Sequence, residues 1–116
     1  MLIEELQGIC RELPGVTEDI KWENDLCFCV GGKMFLAVGL NQSPTTASFK
    51  ATPEGFAAMT ERSGFAPAPY LARNHWVLAE NIHHLTKQEW IQHAREAYKL
   101  VAAKLPKKMQ QALQQL

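Results

Sequence analysis

The segment Leu26–Leu40 constrains the fold of this chain most, because two apolar runs meet there at Gly31-Gly32. Two glycines between apolar runs are typical of the tight turn of a β-hairpin. Side chains of a strand alternate between its faces, so every second residue of each run shares one face. The apolar face would contain Leu26, Phe28, Val30, Met34, Leu36, Val38 and Leu40. The opposite face, with Cys27, Cys29, Lys33, Phe35, Ala37 and Gly39, is smaller and more mixed, as expected of incomplete coverage.

The length of the turn decides which residues of the hairpin pair. A two-residue turn would pair Val30 with Lys33, whereas a three-residue turn that ends at Lys33 would pair Val30 with Met34. Only the second register unites all the large apolar residues on one face and makes Phe28 and Leu36 neighbours. We therefore predict the three-residue turn.

The other elements follow from periodicity and from capping signals. Apolar residues at helical spacing predict a first helix, and Thr52-Pro53-Glu54 starts a second, with a threonine cap and a proline in the first turn. Thr86 and Glu89 form a capping box that opens the longest helix. The predicted helices are Leu2–Leu13, a helix from Pro53 to about Ser63, the helix that ends at Pro106, and a compatible tail helix over Lys107–Leu116. Besides the hairpin, the predicted strands are Asp19–Trp22, Thr46–Ala51 and His75–Ala79. The proline-rich segment Phe65–Pro69 should run extended without regular structure and lead into an irregular arm over Tyr70–Asn74. The sequence predicts an α+β domain in the order α-β-β-β-β-α-β-α.

Size and composition bound the class of protein. A chain of 116 residues is long enough for one domain with its own core, and it has no apolar run of membrane-spanning length. Acidic Glu4 and Glu5 stand where a signal peptide carries basic residues, so we expect a cytoplasmic protein. Cys10, Cys27 and Cys29 are then expected to be reduced and buried.

Charge is distributed unevenly along the chain although the formal net charge is zero. Residues 1–60 carry four basic and eight acidic side chains, and residues 61–116 carry eight basic and four acidic ones. A protein that binds nucleic acid tightly and without specificity is usually basic overall. The neutral total therefore predicts weak binding, and the second half leaves room for a local basic patch.

The sequence shows no catalytic or metal-binding signature. Cys27 and Cys29, one residue apart, and the adjacent His83 and His84 do not match the ligand spacing of zinc sites. Thiols in an apolar strand are also poor nucleophiles. We therefore expect no metal, no cofactor and no enzymatic activity. The acidic residues around Trp22 are compatible with binding a cation or a basic partner, but we expect a solvated turn in which this tryptophan anchors the sheet.

Basic residues offer the main candidates for a binding site. Lys33 and Lys50 flank Phe35 on the less covered face of the predicted sheet, and lysines beside an aromatic ring can bind nucleic acid. A solvated face would give the same pattern, so the alternative that these residues bind nothing stays open. Arg73 and His75 follow the proline arm, where they either contact a partner or hold the arm against the next strand.

Short motifs spread over the chain occur in a defined order. They are Leu13-Pro14-Gly15, Trp22, Val30–Phe35, Ser48-Phe49-Lys50, Pro69-Tyr70-Leu71, His75-Trp76-Val77 and Lys104–Lys108. Together they resemble the MmcQ/YjbR family of small bacterial proteins over nearly the whole chain. The resemblance implies a two-layer α+β domain with an antiparallel sheet, similar to secretion-chaperone-like and frataxin-like arrangements. It also implies DNA binding, a role associated with the double-wing shape of the family's domain.

We therefore predict a non-enzymatic cytoplasmic binding domain that contacts DNA weakly, mainly through phosphates. The residues predicted to make these contacts are Lys33, Lys50, Arg73, His75, Lys107 and Lys108, with His75 contributing more when it is protonated. The alternative is a protein- or peptide-interaction module, chaperone-like, that uses the open face or an edge of the sheet. We expect a monomer or a weak dimer that does not contact membranes.

Overall fold

The structure is a computed structural model, and it describes residues 3–69 and 71–116. These residues contain four α-helices, which are α1 (Ile3–Arg11), α2 (Pro53–Thr60), α3 (Lys87–Ala102) and α4 (Lys107–Gln114). They also contain six strands, which are β1 (Val16–Lys21), β2 (Asp25–Val30), β3 (Lys33–Gly39), β4 (Thr46–Lys50), β5 (Phe65–Pro67) and β6 (Trp76–Ala79). Short 3₁₀ helices cover Ala72–Asn74 and Ile82–His84. None of the helices within the described ranges could span a membrane.

All six strands form one antiparallel sheet in the order β1-β2-β3-β4-β6-β5. Helix α3 packs across β2, β3 and β4, while α1 packs against α3 and β1. These two helices cover one face of the sheet, which we call the covered face, and the opposite face is called the open face. Helix α2 packs against β5 and β6. This arrangement confirms the predicted α+β class with helices on an antiparallel sheet.

The helices start at the caps that the sequence indicates. The side chain of Thr52 accepts a hydrogen bond from the N–H of Gly55 at 2.9 Å. The capping box of α3 is complete, because the Thr86 hydroxyl accepts from the Glu89 N–H at 3.1 Å and the Glu89 carboxylate accepts from the Thr86 N–H at 3.0 Å. All three hydrogen bonds satisfy amide groups at the helix starts that would otherwise lack a partner.

The core lies between the covered face and α1 and α3. Trp90 of α3 is fully buried and meets the ring of Phe49 edge-on, with 5.6 Å between ring centroids. Its indole N–H donates to the backbone oxygen of Ile82 at 2.8 Å, which satisfies the one polar atom of this side chain. Tyr98 makes a second edge-on contact, with Phe35 of β3 at 5.7 Å. These aromatic pairs fix the long helix on the sheet.

The turn between β2 and β3 has two residues instead of the predicted three. Gly31 and Gly32 have φ angles of 57° and 78°, and Val30 pairs with Lys33. Two successive residues with positive φ are typical of a type I′ turn, which glycine adopts without a steric cost. The predicted pairing of Val30 with Met34 is therefore wrong. The predicted faces of two residues are wrong for the same reason, because Met34 pairs with Cys29 on the open face and Lys33 pairs with the buried Val30.

A β-bulge changes the pairing beyond this turn. The register shifts between Phe28 and Cys29, and Phe28 pairs with Leu36, as predicted. Phe35 is the extra residue of β3, and a bulge of this kind lets a strand bury two successive side chains. Phe35 and Leu36 are both 0% exposed. The expected place of Phe35 on the less covered face is wrong, because its ring packs against Tyr98 on the covered face.

The remaining differences from the predicted elements are local. Strand β5 forms within the proline-rich segment predicted to lack regular structure, and it pairs with β6 at the edge of the sheet, where a proline is tolerated. Strand β1 begins before the predicted Asp19, and the tail helix forms as α4. Leu40, predicted to join the apolar face, is 40% exposed. Leu2 and Tyr70, which belong to the predicted first helix and arm, lie outside the described residues.

Candidate functional site

The pairing of the central strands shows which side chains lie on the open face. Cross-strand pairing aligns Cys27 with Ala37 and Ala37 with Ser48, so these three side chains share the face opposite the core. Farther along β4 on the same face, Lys50 pairs with Trp76 of β6. This alternation places Lys50 on the open face, as the sequence predicts.

A cleft with three lysines opens where the open face meets the end of α3. We call this cavity of about 350 Å³ the basic cleft. Its lysines are Lys33 of β3, Lys50 of β4 and Lys104, which follows α3. Its walls are mostly apolar and include Met34 and Trp76. Among the residues that the structure describes, no acidic side chain lines the cleft and none of the three lysines forms an ion pair.

Lys50 shows that the positive charges of the basic cleft lie close together. Its side chain is half-buried, and its Nζ donates a hydrogen bond to the backbone oxygen of Asn74. Burial lowers the pKa of Lys50, and the neighbouring charge of Lys104 lowers it further. A lowered pKa means that the fold disfavours the charged form of the lysine. A bound anion would offset this cost.

Close packing of the β2–β3 turn against the end of α3 places Lys33 and Lys104 in the same cleft. A Cβ atom on Gly31 would lie 2.7 Å from Cδ1 of Leu105, so only glycine permits this approach without a shift. Leu105 is itself buried. Sequence reasoning missed Lys104, which is next to Leu105-Pro106. The sequence did contain an indication of this position, because Leu105 is an apolar residue directly before the proline that ends the helix. Burial of Leu105 fixes the end of the helix and therefore the position of the neighbouring Lys104.

Three of the other predicted contacts are exposed residues that are close along the chain to residues of the basic cleft. Lys107 and Lys108 are exposed in the first turn of α4, directly after Pro106, which lines the cleft. Arg73 is exposed next to Asn74, another lining residue. The structure therefore gathers Lys33 and Lys50 in one cavity, while these three cations follow or precede a lining residue along the chain and do not line the cavity themselves.

His75 occupies a structural position outside the basic cleft. Its backbone is left-handed, with a φ angle of 62°, and its carbonyl oxygen accepts from the N–H of Ala51 at 3.0 Å. Its ring packs edge-on against Phe56, with 5.6 Å between centroids. The side chain is half-buried and is not among the residues that line the cleft. The structure thus does not bring His75 to the three lysines.

A second and larger cavity, of about 520 Å³, runs along the open face beside the basic cleft. We call it the apolar groove. Met34 lines both cavities, so they meet at this side chain. The arm after β5 forms one wall, held to β6 because Ala68 N–H donates to Trp76 oxygen at 3.0 Å and Trp76 N–H donates to Leu71 oxygen at 3.3 Å. The apolar lining consists of Trp22, Met34, Ala37, Gly39, Ala68, Pro69 and Leu71.

Trp22 lies at the rim of the apolar groove. It is 69% exposed, so the expectation that it anchors the sheet is wrong. The physical reason is the turn between β1 and β2, where Trp22 and Glu23 both have left-handed backbones, with φ angles of 51° and 69°. This conformation interrupts the alternation of the strand and leaves the indole outside the core. Among the described residues, Asp25 is the only charged side chain that lines the groove.

The three cysteines are free thiols and are buried, as predicted. Burial raises the pKa of Cys10 to about 12 and that of Cys27 to about 11, and it raises the pKa of Cys29 as well. Because the thiolate is the nucleophilic form, these groups stay protonated and weakly reactive near neutral pH.

Comparisons with known proteins point to one family and one fold. The family model described as YjbR matches residues 11–100. Among solved structures, a Deinococcus radiodurans protein of the DUF419 domain family is 25% identical, with a TM-score of 0.86 over 97% of this chain and 87% of that chain. A Pseudomonas syringae protein has a similar fold, with 16% identity and a TM-score of 0.71 over 87% of this chain and 99% of that chain. None of the curated proteins matches the sequence.

Proposed function

The chain belongs to the YjbR family, and we propose that it is a non-enzymatic domain that binds nucleic acid through phosphate groups at the basic cleft. One observation carries this proposal. Lys33, Lys50 and Lys104 line a single cleft that has no acidic lining residue in the described part of the chain. Lysines that contact phosphates release counterions, and this release is the main source of non-specific affinity for nucleic acid. The contacts would position the polymer without reading its sequence.

The electrostatic cost of bringing the lysines together in the cleft supports an anionic ligand. Lys50 has lost part of its hydration and lies within the field of Lys104, and both effects lower its pKa. A phosphate placed among the lysines would reverse the sign of the local interaction and would accept charge-assisted hydrogen bonds. The exposed Lys107, Lys108 and Arg73 could extend the contact along a chain of phosphates.

The number of cations sets the expected strength of binding. Three phosphate contacts give a log-log salt slope of about −2.7 on duplex DNA, and six contacts give about −5.4. The acidic excess of residues 1–60 repels the same polymer. The affinity at physiological salt should therefore be weak, within the usual non-specific range of about 10⁻⁴ to 10⁻⁶ M.

The non-enzymatic part of the proposal is supported by the chemistry of the strongest nucleophiles. The thiols of Cys10 and Cys27 are held protonated by burial, with raised pKa values, and lie in strand and helix positions of the packed fold. Free thiols are also typical of proteins in a reducing compartment, which supports the cytoplasmic location that we propose with this function.

Anisotropy of a labelled duplex across a salt series tests the role of the cleft. The double variant Lys33→Ala/Lys50→Ala should flatten the salt slope by about two units, and Lys104→Ala should flatten it by about one. The matched control is Lys87→Ala/Lys99→Ala, which removes two exposed lysines of α3 that do not line the basic cleft. This control should change the slope little.

Two results would contradict the proposal. The first is an absence of binding by the wild-type protein at low salt. The second is an equal slope in the wild-type protein and in all three variants, because the cleft lysines would then not contact phosphate. Circular dichroism of each variant would show that the fold is retained.

A further inference from the structure

The apolar groove has the size and the lining of a ligand site. Its volume of about 520 Å³ falls within the range of about 300–1,000 Å³ that is typical of ligand pockets. Its floor is formed by β3 between Met34 and Gly39. Five residue steps of an extended strand cover about 17 Å, so the floor matches about five residues of another extended chain.

The charge of the groove differs from that of the basic cleft. Asp25 is the only charged side chain among the described residues that line it, and Glu23 lies in the adjoining turn. Lys21 is the cross-strand partner of Asp25, but it does not line the groove. A phosphate or a carboxylate inside the groove would be repelled by Asp25, whereas a lysine or arginine side chain would pair with it.

Trp22 adds a second contact for a positive charge. Its indole lines the groove and is 69% exposed, in a turn where Trp22 and Glu23 both have positive φ angles. Non-glycine residues in this backbone region are strained and occur often at functional sites. The face of an exposed indole attracts lysine and, more often, arginine. Trp22 and Asp25 together would thus hold one basic side chain at the rim.

Polar groups in the groove suit a peptide backbone. Ser48, Thr46 and Gln42 line it and supply hydroxyl and amide groups. Thr46 lies close to the floor, since a Cβ on Gly39 would be 2.7 Å from its Oγ1. An extended peptide needs both donors and acceptors along its length, and side chains of this kind provide them.

We propose that the apolar groove binds an extended peptide segment of a protein partner, in which an apolar side chain is next to a lysine or an arginine. The apolar side chain would contact Met34, Leu71 and Pro69, and the basic one would lie between Trp22 and Asp25. The site is distinct from the lysines of the basic cleft and prefers the opposite charge. The proposal does not depend on nucleic-acid binding.

A positional-scanning library of acetylated and amidated pentapeptides tests this site. The wild-type protein should retain peptides with an apolar residue next to Arg or Lys about fivefold better than peptides with Asp or Glu at that position. Trp22→Ala should lower retention about fivefold, and Asp25→Asn should remove most of the preference for basic residues. Because Trp22 is exposed and Asp25→Asn keeps the shape of the side chain, both variants should fold.

Matched controls separate the groove from its surroundings. Ile20→Ala removes a 51% exposed apolar residue of β1 that does not line the groove, and Asp19→Asn removes a nearby exposed carboxylate. Both controls should retain peptides as the wild type does. A wild-type protein that retains no peptide, or prefers acidic ones, would overturn the proposal. The proposal would also fail if Asp25→Asn kept the preference for basic residues or if Trp22→Ala retained peptides as well as the wild type does. Weaker binding of single-stranded oligothymidylate by Trp22→Ala would overturn it too.

Discussion

The covered face and the open face of the sheet come from the same strands but differ in what covers them. Side chains of the covered face, such as Phe28, Leu36 and Phe49, are fully buried under the helices. On the open face, the arm after β5 covers only part of the strands, so the apolar groove runs along this face and the basic cleft opens at its border with the end of α3. The first face therefore contributes mainly to stability, and the second keeps charged and aromatic groups in contact with solvent.

The basic cleft and the apolar groove differ in the charge of the side chains that line them. The basic cleft concentrates three lysines, and the apolar groove has an aspartate and an exposed tryptophan at its rim. Among the described residues, only Met34 lines both cavities. A site for anions and a site for cations can thus be neighbours on one sheet, because different turns and strand ends supply the charged residues of each cavity.

Core substitutions test the difference between the faces with the largest expected effect. Phe35→Ala should cost about 3–5 kcal/mol in the free energy of unfolding, at least as much as the 2–5 kcal/mol or so expected for Leu36→Ala. Met34→Ala, next to them in β3 but half-buried on the open face, should cost less than about 2 kcal/mol. Urea melts measure all three. A larger loss for Met34→Ala than for Phe35→Ala would contradict the assignment of the faces.

The two glycines of the hairpin turn provide a smaller and matched test. Both have positive φ angles, so alanine at either position should cost about 1–2 kcal/mol through the left-handed backbone. Only Gly31 also approaches Leu105, and nothing lies within 4 Å of a Cβ on Gly32. Gly31→Ala should therefore destabilise the protein more than Gly32→Ala. Equal losses in thermal melts would show that the turn does not press on the end of α3.

The hairpin shows how far sequence patterns determine this fold. Alternation and the glycine pair predict the strands and the partner of Phe28, because these depend on neighbours along the chain. They do not predict the bulge at Phe35. A two-residue turn followed by a bulge and a three-residue turn both keep Phe28 beside Leu36, and only packing of Phe35 against Tyr98 distinguishes them.

The candidate site was predicted in part for a similar reason. Lys50 can be placed on the open face from strand alternation. Lys33 could not be assigned to the correct face, because it pairs with the buried Val30 and meets the end of α3. Lys104 could not be placed, since it depends on the long-range contact between Leu105 and Gly31. Trp22 was misplaced, because the left-handed turn that exposes it leaves no clear mark in the sequence.

Removal of a charge from the basic cleft should have the smallest effect on stability. The charge of Lys104 contributes to the lowered pKa of Lys50, so Lys104→Gln should raise that pKa and remove an unfavourable interaction. Lys104 is exposed, and solvent limits the gain in the free energy of unfolding to about 0.5 kcal/mol at most. The gain should shrink as salt is added, whereas Lys99→Gln, on the exposed side of α3, should show no such trend. A loss of more than about 1 kcal/mol in Lys104→Gln would mean that this lysine stabilises the fold. The basic cleft would then resemble the covered face in serving stability, and the case for an anion site would lose one of its three lysines.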